Sequence, residues 1–377
     1  MCVSDENFAN LDPFHHLERL VAAEKLSADL LLCAGDMADR GCRAGLRHVW
    51  GALHRLAAHL GDARLLTVPG NHDLDSRFEG SGFDPKGALL GLQPRLPIGD
   101  ERLDDHFWAR NFAVVAENAY RVLLLNSAAY HGYMKENEAH KEHEHGRISK
   151  ATLAAIRDAL NHTGPRSVNI VLCHHHPMAN NDVGETDYSE MSGGHDLVNL
   201  LSEDDAEWMM VHGHKHYPRI AYATGTGAAC LVFGAGSFSA RLYSEAATKT
   251  RNQFYIVEFE YDQDDSLPPL KGRIHAWDYS NLDGWKRSPA SSVIPYNAGF
   301  GFRDRPIAAV DTIMKFLNTS GKGVFVEWGE ICQAHPELAH LLPLDRTTVA
   351  RRLGERSVNV NYDDWGNFAQ LFLKETA

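Results

Sequence analysis

Four short apolar runs, each followed at once by a turn bearing Asp, Asn or His, constrain this chain more than any other feature. Leu30-Leu31-Leu32-Cys33-Ala34 leads into Gly35-Asp36, and Leu65-Leu66-Thr67-Val68 leads into Pro69-Gly70-Asn71-His72-Asp73. Val168-Asn169-Ile170-Val171-Leu172-Cys173 leads into His174-His175-His176-Pro177, and Trp208-Met209-Met210-Val211 into His212-Gly213-His214-Lys215-His216. Short, nearly continuous apolar stretches bounded by turn residues have the pattern of strands buried on both faces. In open α/β sheets, ligands bind beyond the carboxyl ends of the strands. Four strands that deliver polar side chains to one edge therefore describe one site.

Helical signals lie between these runs. Asp12-Pro13 reads as an N-cap followed by Pro at the first helical position, with Phe14, Leu17, Leu20 and Val21 at helical spacing. Residues 44–60, closed by Gly61, predict a second helix. Ser149 caps a third, with Leu153, Ile156 and Leu160 on one face. The alternation predicts an α/β layered fold up to about residue 211. Residues 229–233, 253–261 and 271–279 read as strands without intervening helices, hence an antiparallel portion. Beyond Arg305-Pro306, helices are predicted over 307–317, 324–333 and 345–353, then a strand at Val358-Asn359-Val360. The expected division is a large α/β domain over 1–303 and a small, mostly helical accessory domain over 304–377. The accessory domain reads either as a packing appendage or as a winged-helix-like module, and Arg346, Arg351, Arg352 and Arg356 give it some basic character.

Charge narrows the partners. The formal net charge is −13, a poor basis for broad electrostatic binding to nucleic acid or an anionic membrane. No stretch approaches the roughly 18 apolar residues of a membrane span. Residues 1–10 contain neither a basic segment nor an apolar one, and the six cysteines are scattered without a CxxC pair. These features predict a reducing, cytoplasmic setting and no membrane partner. Histidine is abundant, 22 in all. The His-Lys-Glu-His-Glu-His run at 140–145 reads as a solvated loop or a metal-binding tract, and the metal reading rests on composition alone.

Gly-Asp-Met-Ala-Asp-Arg-Gly (35–41), Gly-Asn-His-Asp (70–73), the His174–His176 cluster and Gly-His-Lys-His (213–216) occur in that order. Together they resemble the signature blocks of calcineurin-like metallophosphoesterases, over roughly residues 3–300. The resemblance implies a four-layer α/β/β/α sandwich of two mixed sheets with a dinuclear metal centre between them. It implies that Asp36 bridges two ions and that Asn71, His174 and His214 complete the second. His216 faces the first, with Asp5 and Asn7. His175 is an alternative to His174, because a triple-His run leaves the register open by one residue. The oxygen and nitrogen ligand set suits Mn, Fe or Zn without choosing among them. His72 is implied to stabilise developing charge and protonate the leaving oxygen, with Asp39 orienting it. Arg40 reads either as a phosphate contact or as a loop salt bridge.

One departure from the family pattern stands out. The family carries Asp-x-His on its first strand, and Val3-Ser4-Asp5-Glu6-Asn7-Phe8 puts Asn7 in the histidine's place. An amide oxygen is the weaker ligand for borderline metals, so the first site is expected to be weakened. An altered working site, an inactivated one, or recruitment of His15 or His16 would each account for it. The implied function is metal-dependent hydrolysis of a phosphoester. Asp73, in a position where a Glu would point elsewhere, and the His-His-His-Pro block favour a phosphodiester or nucleotide-type substrate. Asp39-Arg40-Gly41 pulls toward a Ser/Thr protein phosphatase-like monoesterase. A non-catalytic scaffold, with residues 304–377 engaging a partner, is the reading from a different class, and a third reading has nucleic acid as the substrate with that segment as its binder. Asn7 favours the scaffold, and retention of the other ligands opposes it.

Overall fold

The structure is a computed structural model, and it describes residues 12–77, 84–133, 142–179, 189–223, 229–242, 250–262, 265, 267–320 and 323–374. Asp5, Asn7 and the start of the histidine-rich run lie outside the described residues. Contacts divide the chain into two compact units, Met1–Asn252 with Tyr279–Trp285, and Gln253–Asp278 with Lys286–Ala377. The domain boundary drawn from the sequence between residues 303 and 304 falls inside the second unit.

The first unit runs α1 (Pro13–Glu24), β1 (Leu30–Cys33), α2 (Arg43–His59), β2 (Arg64–Thr67), α3 (Gly87–Leu90), α4 (Glu101–Arg110), β3 (Phe112–Ala116) and β4 (Tyr120–Leu125). It continues with α5 (Lys150–Thr163), β5 (Val168–Leu172), α6 (Gly194–Ser202), β6 (Met209–His212), β7 (Arg219–Tyr222) and β8 (Leu231–Gly234). The local chemistry follows the sequence. Asp12 accepts from the Phe14 N–H at 2.9 Å and opens α1, and Ser149 Oγ accepts from the Thr152 N–H at 3.0 Å and opens α5.

A six-stranded mixed sheet has the order β3–β4–β5–β6–β8–β7. Its central strands β4, β5, β6 and β8 are parallel, and β3 and β7 pair antiparallel at the edges. Ile156 and Leu160 of α5 and Leu197 and Leu201 of α6 pack with Leu123, Val171 and Met210 of the sheet in one buried cluster. Strands β1 and β2 pair in parallel, Cys33 opposite Thr67. Leu65 of β2 shares a second cluster with Trp50, Leu53 and Ala57 of α2 and Phe14 of α1. Each sheet thus carries its own helical layer, and the α/β class is the one the apolar runs predict.

The second unit contains β9 (Gln253–Phe259), β10 (Gly272–Ser280), β11 (Gly284–Arg287), β12 (Ala298–Phe300), α7 (Pro306–Ser320), β13 (Phe325–Glu327), α8 (Trp328–Ala334), α9 (Pro343–Glu355), β14 (Val358–Tyr362) and β15 (Phe368–Leu373). The chain crosses the division within β10 and β11. β10 pairs antiparallel with β9 and β12, as the helix-free stretch predicts. The helix expected over 324–333 is corrected. Phe325–Glu327 is a strand paired to β15, and helix begins only at Trp328. Val326 is buried while Phe325 and Glu327 are exposed, a period of two that overrides the helical pattern. The C-terminal segment is therefore less helical than expected. Its order is α7–β13–α8–α9–β14–β15, with β13 and β14 flanking β15 and a 3₁₀ segment (Pro336–His340) between α8 and α9. The Arg287 guanidinium lies 4.8 Å from the Tyr296 ring and 5.9 Å from the Trp365 ring. The second of these contacts joins β11 to the C-terminal hairpin within the unit.

The most exacting core interaction of the first unit involves Arg121 of β4, which is fully buried. Its guanidinium donates to Asn169 Oδ1 at 2.9 Å, pairs with Asp204, and lies 4.5 Å from the Trp208 ring. Asp204 also accepts from Trp208 Nε1 at 2.8 Å. Removing the carboxylate strands a buried cation, so Asp204→Ala should cost about 3 kcal/mol. Urea unfolding followed by tryptophan fluorescence measures this, and a cost under about 1 kcal/mol would contradict it.

Candidate metal centre

Strands β1 and β2 are parallel neighbours, so the loops after them emerge side by side. The two loops touch backbone to backbone. A Cβ on Gly70 would lie 2.2 Å from Asp36 Oδ1 and 2.5 Å from the Asp36 nitrogen, and one on Gly35 would lie 2.4 Å from the Gly70 nitrogen. Only glycine permits that approach at either position. A buried carboxylate then fastens the loops: Asp73 accepts from the Ala38 N–H and the Gly70 N–H, both at 2.9 Å. The His72 N–H donates to Asp36 Oδ1 at 2.8 Å, and the Gly41 N–H to the His72 carbonyl at 2.8 Å.

The six-stranded sheet brings the histidines. His174 follows β5, and its Nδ1 donates to the Ala34 carbonyl at 2.7 Å. That bond aims Nε2 at Asn71 Oδ1, 3.0 Å away, and at Asp36 Oδ2, 3.4 Å away. His214 Nδ1, beyond β6, lies 3.2 Å from the same Asn71 oxygen. His216 Nδ1 contacts Ser237 Oγ in the turn after β8. Asp36, Arg40, His214 and His216 all hold positive φ, at 56°, 48°, 73° and 54°. Left-handed backbone at non-glycine residues costs on the order of 1–3 kcal/mol each and concentrates at sites of function.

Burial and charge set the protonation states. Burial pushes the Asp36 carboxyl upward, but His174 and His72 hold it well below the usual carboxylate range. Burial opposes charge on His174 too, and Asp36 nevertheless raises it. Asp73 is pushed up to about 7, by burial first and by the charge of Asp36 second. Burial drives His175 and His214 well below the ordinary histidine value and lowers His216. Neutral imidazole is the form that binds metal.

The structure thus brings Asp36, Asn71, His174 and His214 into one cluster. His72 stands beside them with Nδ1 3.1 Å from Asp39 Oδ1 and 3.4 Å from the Arg40 backbone N–H. Arg40 is exposed, and its guanidinium makes no ion pair among the described residues. Of the residues implied for the first ion, Asp36 and His216 are described and Asp5 and Asn7 are not. Ligand atoms of His174, His175 and His214 lie within 4.8 Å of one another. Carboxylate, amide oxygen and neutral imidazoles, gathered in a buried pocket, form a donor set that fits Mn, Fe or Zn. Sequence reasoning missed Ser127, after β4, and Ser237, after β8. Both follow strands that end without a metal-binding residue type.

Because Asp73 holds the two ligand-bearing loops together without being a ligand itself, Asp73→Ala should weaken metal binding on the order of 10–100-fold. Competition against a chromogenic chelator measures this. Unchanged affinity in a folded variant would show that the loops need no such fastening.

No curated protein matches the chain. A crystal structure of a protein provisionally named a 5'-nucleotidase, from Staphylococcus aureus and in complex with alpha-ketoglutarate, is similar over 76% of this chain and 49% of its own. The identity is 10% and the TM-score 0.35, and this chain spans about half of that structure's length. The family model described as calcineurin-like phosphoesterase matches residues 5–226, which include every loop of the cluster. That match covers more than half of the 377 residues, and the chain belongs to the calcineurin-like phosphoesterase family.

Proposed function

We propose that the chain hydrolyses a phosphoester with the help of two metal ions, and that its substrate is a phosphodiester or nucleotide-type ester. The observation that carries this reading is the convergence of Asp36, Asn71, His174 and His214 beside the His72–Asp39 pair. Asp36 would be shared by both ions, with Asn71, His174 and His214 on one side and His216, Asp5 and Asn7 on the other. Bound there, Mn, Fe or Zn would supply Lewis acidity, charge neutralisation and an activated water.

The chain's own groups supply the rest. Asp39, as acceptor, keeps the His72 proton on Nδ1 in the neutral ring. A second proton on Nε2 makes the ring a donor to the leaving oxygen, and the Asp39 carboxylate stabilises that charged form. Arg40, exposed and without an ion pair among the described residues, would receive a phosphate oxygen in this reading. Asp73, where a shorter carboxylate reaches both loops, supports the phosphodiesterase-like reading over the protein phosphatase-like one.

We place the chain in a reducing, cytoplasmic setting. Cys33, Cys42, Cys173, Cys230 and Cys332 are free thiols. No helix of the described residues is long and apolar enough to cross a membrane. For the segment 304–377 we propose a packing appendage first, and as the second reading a surface for a nucleic-acid or protein partner. Arg351 pairs with Glu355 and Arg356 with Asp311, so much of its basic charge is internally neutralised, which favours protein.

His72→Ala should lower turnover of bis(p-nitrophenyl) phosphate by about 10²–10⁴-fold while metal content stays unchanged. Turnover should vanish with a chelator and return with Mn. Parallel assay of p-nitrophenyl phosphate separates the substrate classes, the diester being the faster of the two. A preference for the monoester favours the phosphatase reading, and no turnover of either ester in metal-loaded protein favours the scaffold.

A further inference from the structure

The loop after β8 continues the pairing of β6 with β8. The Ala235 N–H donates to the His212 carbonyl at 2.8 Å, one step beyond the pair His212–Gly234. The segment 235–238 therefore runs beside the loop that carries His214 and His216, and Ser237 Oγ meets His216 Nδ1 there. When the hydroxyl accepts the Nδ1 proton, the neutral ring offers Nε2 as a bare lone pair. His216 is thus the one implied ligand of the first ion whose ring direction and tautomer are set by a side chain on another loop among the described residues.

The next residue anchors the serine. The Phe238 ring lies 4.5 Å from that of Phe14 and 5.0 Å from that of Trp285, between centroids. Trp285 belongs to the same unit, and its Nε1–H donates to the Pro13 carbonyl at 2.9 Å. The Tyr279 ring lies 4.8 Å from that of Trp285, and its hydroxyl meets His16 Nδ1 at 3.2 Å. These contacts fasten the first turn of α1. Phe238 also packs against the apolar cluster that contains Phe14, Met37 and Ala38. Met37 directly follows Asp36, Phe238 directly follows Ser237, and Phe14 lies in the helix that comes next in sequence after Asp5 and Asn7. One apolar cluster thus joins the loop carrying Asp36, the loop after β8 and the start of α1.

We propose that Ser237 and Phe238 are positioning residues for the first metal ion. Ser237 sets the tautomer and direction of the His216 ring, and Phe238 keys the serine to the Asp36 loop and to α1. Neither touches the ion. A first site with Asn7 in the place of a histidine has His216 as its imidazole. Its affinity therefore depends on that ring being oriented in advance, because no ordering cost is then left to the moment of binding. This inference rests on the reading of the cluster as a two-metal centre.

Titration of the full chain with Mn(II), followed through the electron paramagnetic resonance signal of the free ion, reads both sites without recourse to activity. Wild-type protein should take up a tighter and a weaker equivalent. Ser237→Ala should weaken the weaker one on the order of 10–100-fold and leave the tighter one within about twofold, and Ser237→Thr, which keeps the hydroxyl, should restore it. Phe238→Ala should also weaken the weaker equivalent, and Phe238→Tyr, which keeps the ring, should not. Leu160→Ala, in the apolar cluster of the six-stranded sheet, controls for lost stability and should leave both equivalents unchanged. A weaker equivalent that is indifferent to Ser237→Ala, that falls equally with Leu160→Ala, or that is missing from wild-type protein overturns the positioning role and leaves a metal centre standing. Mn that binds nowhere tightly, with Asp36→Asn making no difference, overturns both.

Discussion

One buried carboxylate, Asp73, decides whether this chain has a site at all. β1 and β2 bring two loops together at their carboxyl ends, but parallel pairing stops at Cys33 and Thr67. Beyond that point Asp73 spans the gap by accepting one N–H from each loop. The glycines at 35 and 70 let the loops meet closely enough for those bonds to form. Asp36, Asn71 and His72 take their places as a result. Asp73 sits in the low dielectric beside Asp36, whose charge helps push its carboxyl up to about 7. His174 and His72 offset the charge of Asp36 from the other side.

The histidine side of the cluster is organised by the same economy of contacts. His174 spends Nδ1 on the Ala34 carbonyl, so that its other nitrogen is oriented before any ligand arrives. This is the arrangement in which an outer hydrogen bond fixes both ring orientation and tautomer. His214 and His216 hold left-handed backbone, a cost that packing alone gives no reason to retain. Preorganised and largely neutral imidazoles around one ionised carboxylate make a metal receptor. The net charge of −13 describes the surface, whereas an anionic ester would meet a pocket whose sign is set by bound cations.

Much of this was legible in the sequence, for identifiable reasons. The strands β1, β2, β5 and β6 were visible because they are buried on both faces and end in chemically distinctive turns. The caps at Asp12 and Ser149 were visible because capping is local chemistry. The hairpin β3–β4 passed unnoticed although β4 is central to the larger sheet, because its run ends in Asn126-Ser127 and carries Arg121 within it. That arginine is tolerated only through Asp204, 83 residues away in the chain, which no local pattern reveals. The strand at Phe325–Glu327 was read as helix because three residues of alternation are too few to outweigh the helical spacing around them. Ser127 and Ser237 could not be read at all, since only the fold brings them to the imidazoles of His175 and His216.

The central claim is that four loops at strand ends converge on one metal centre. Anomalous X-ray diffraction from crystals grown with Mn or Zn tests it most directly. The account predicts a strong anomalous peak about 2.0–2.3 Å from Asp36, Asn71, His174 and His214. A map without a peak there, or with its strongest peak at the histidine-rich run 140–145, would contradict it.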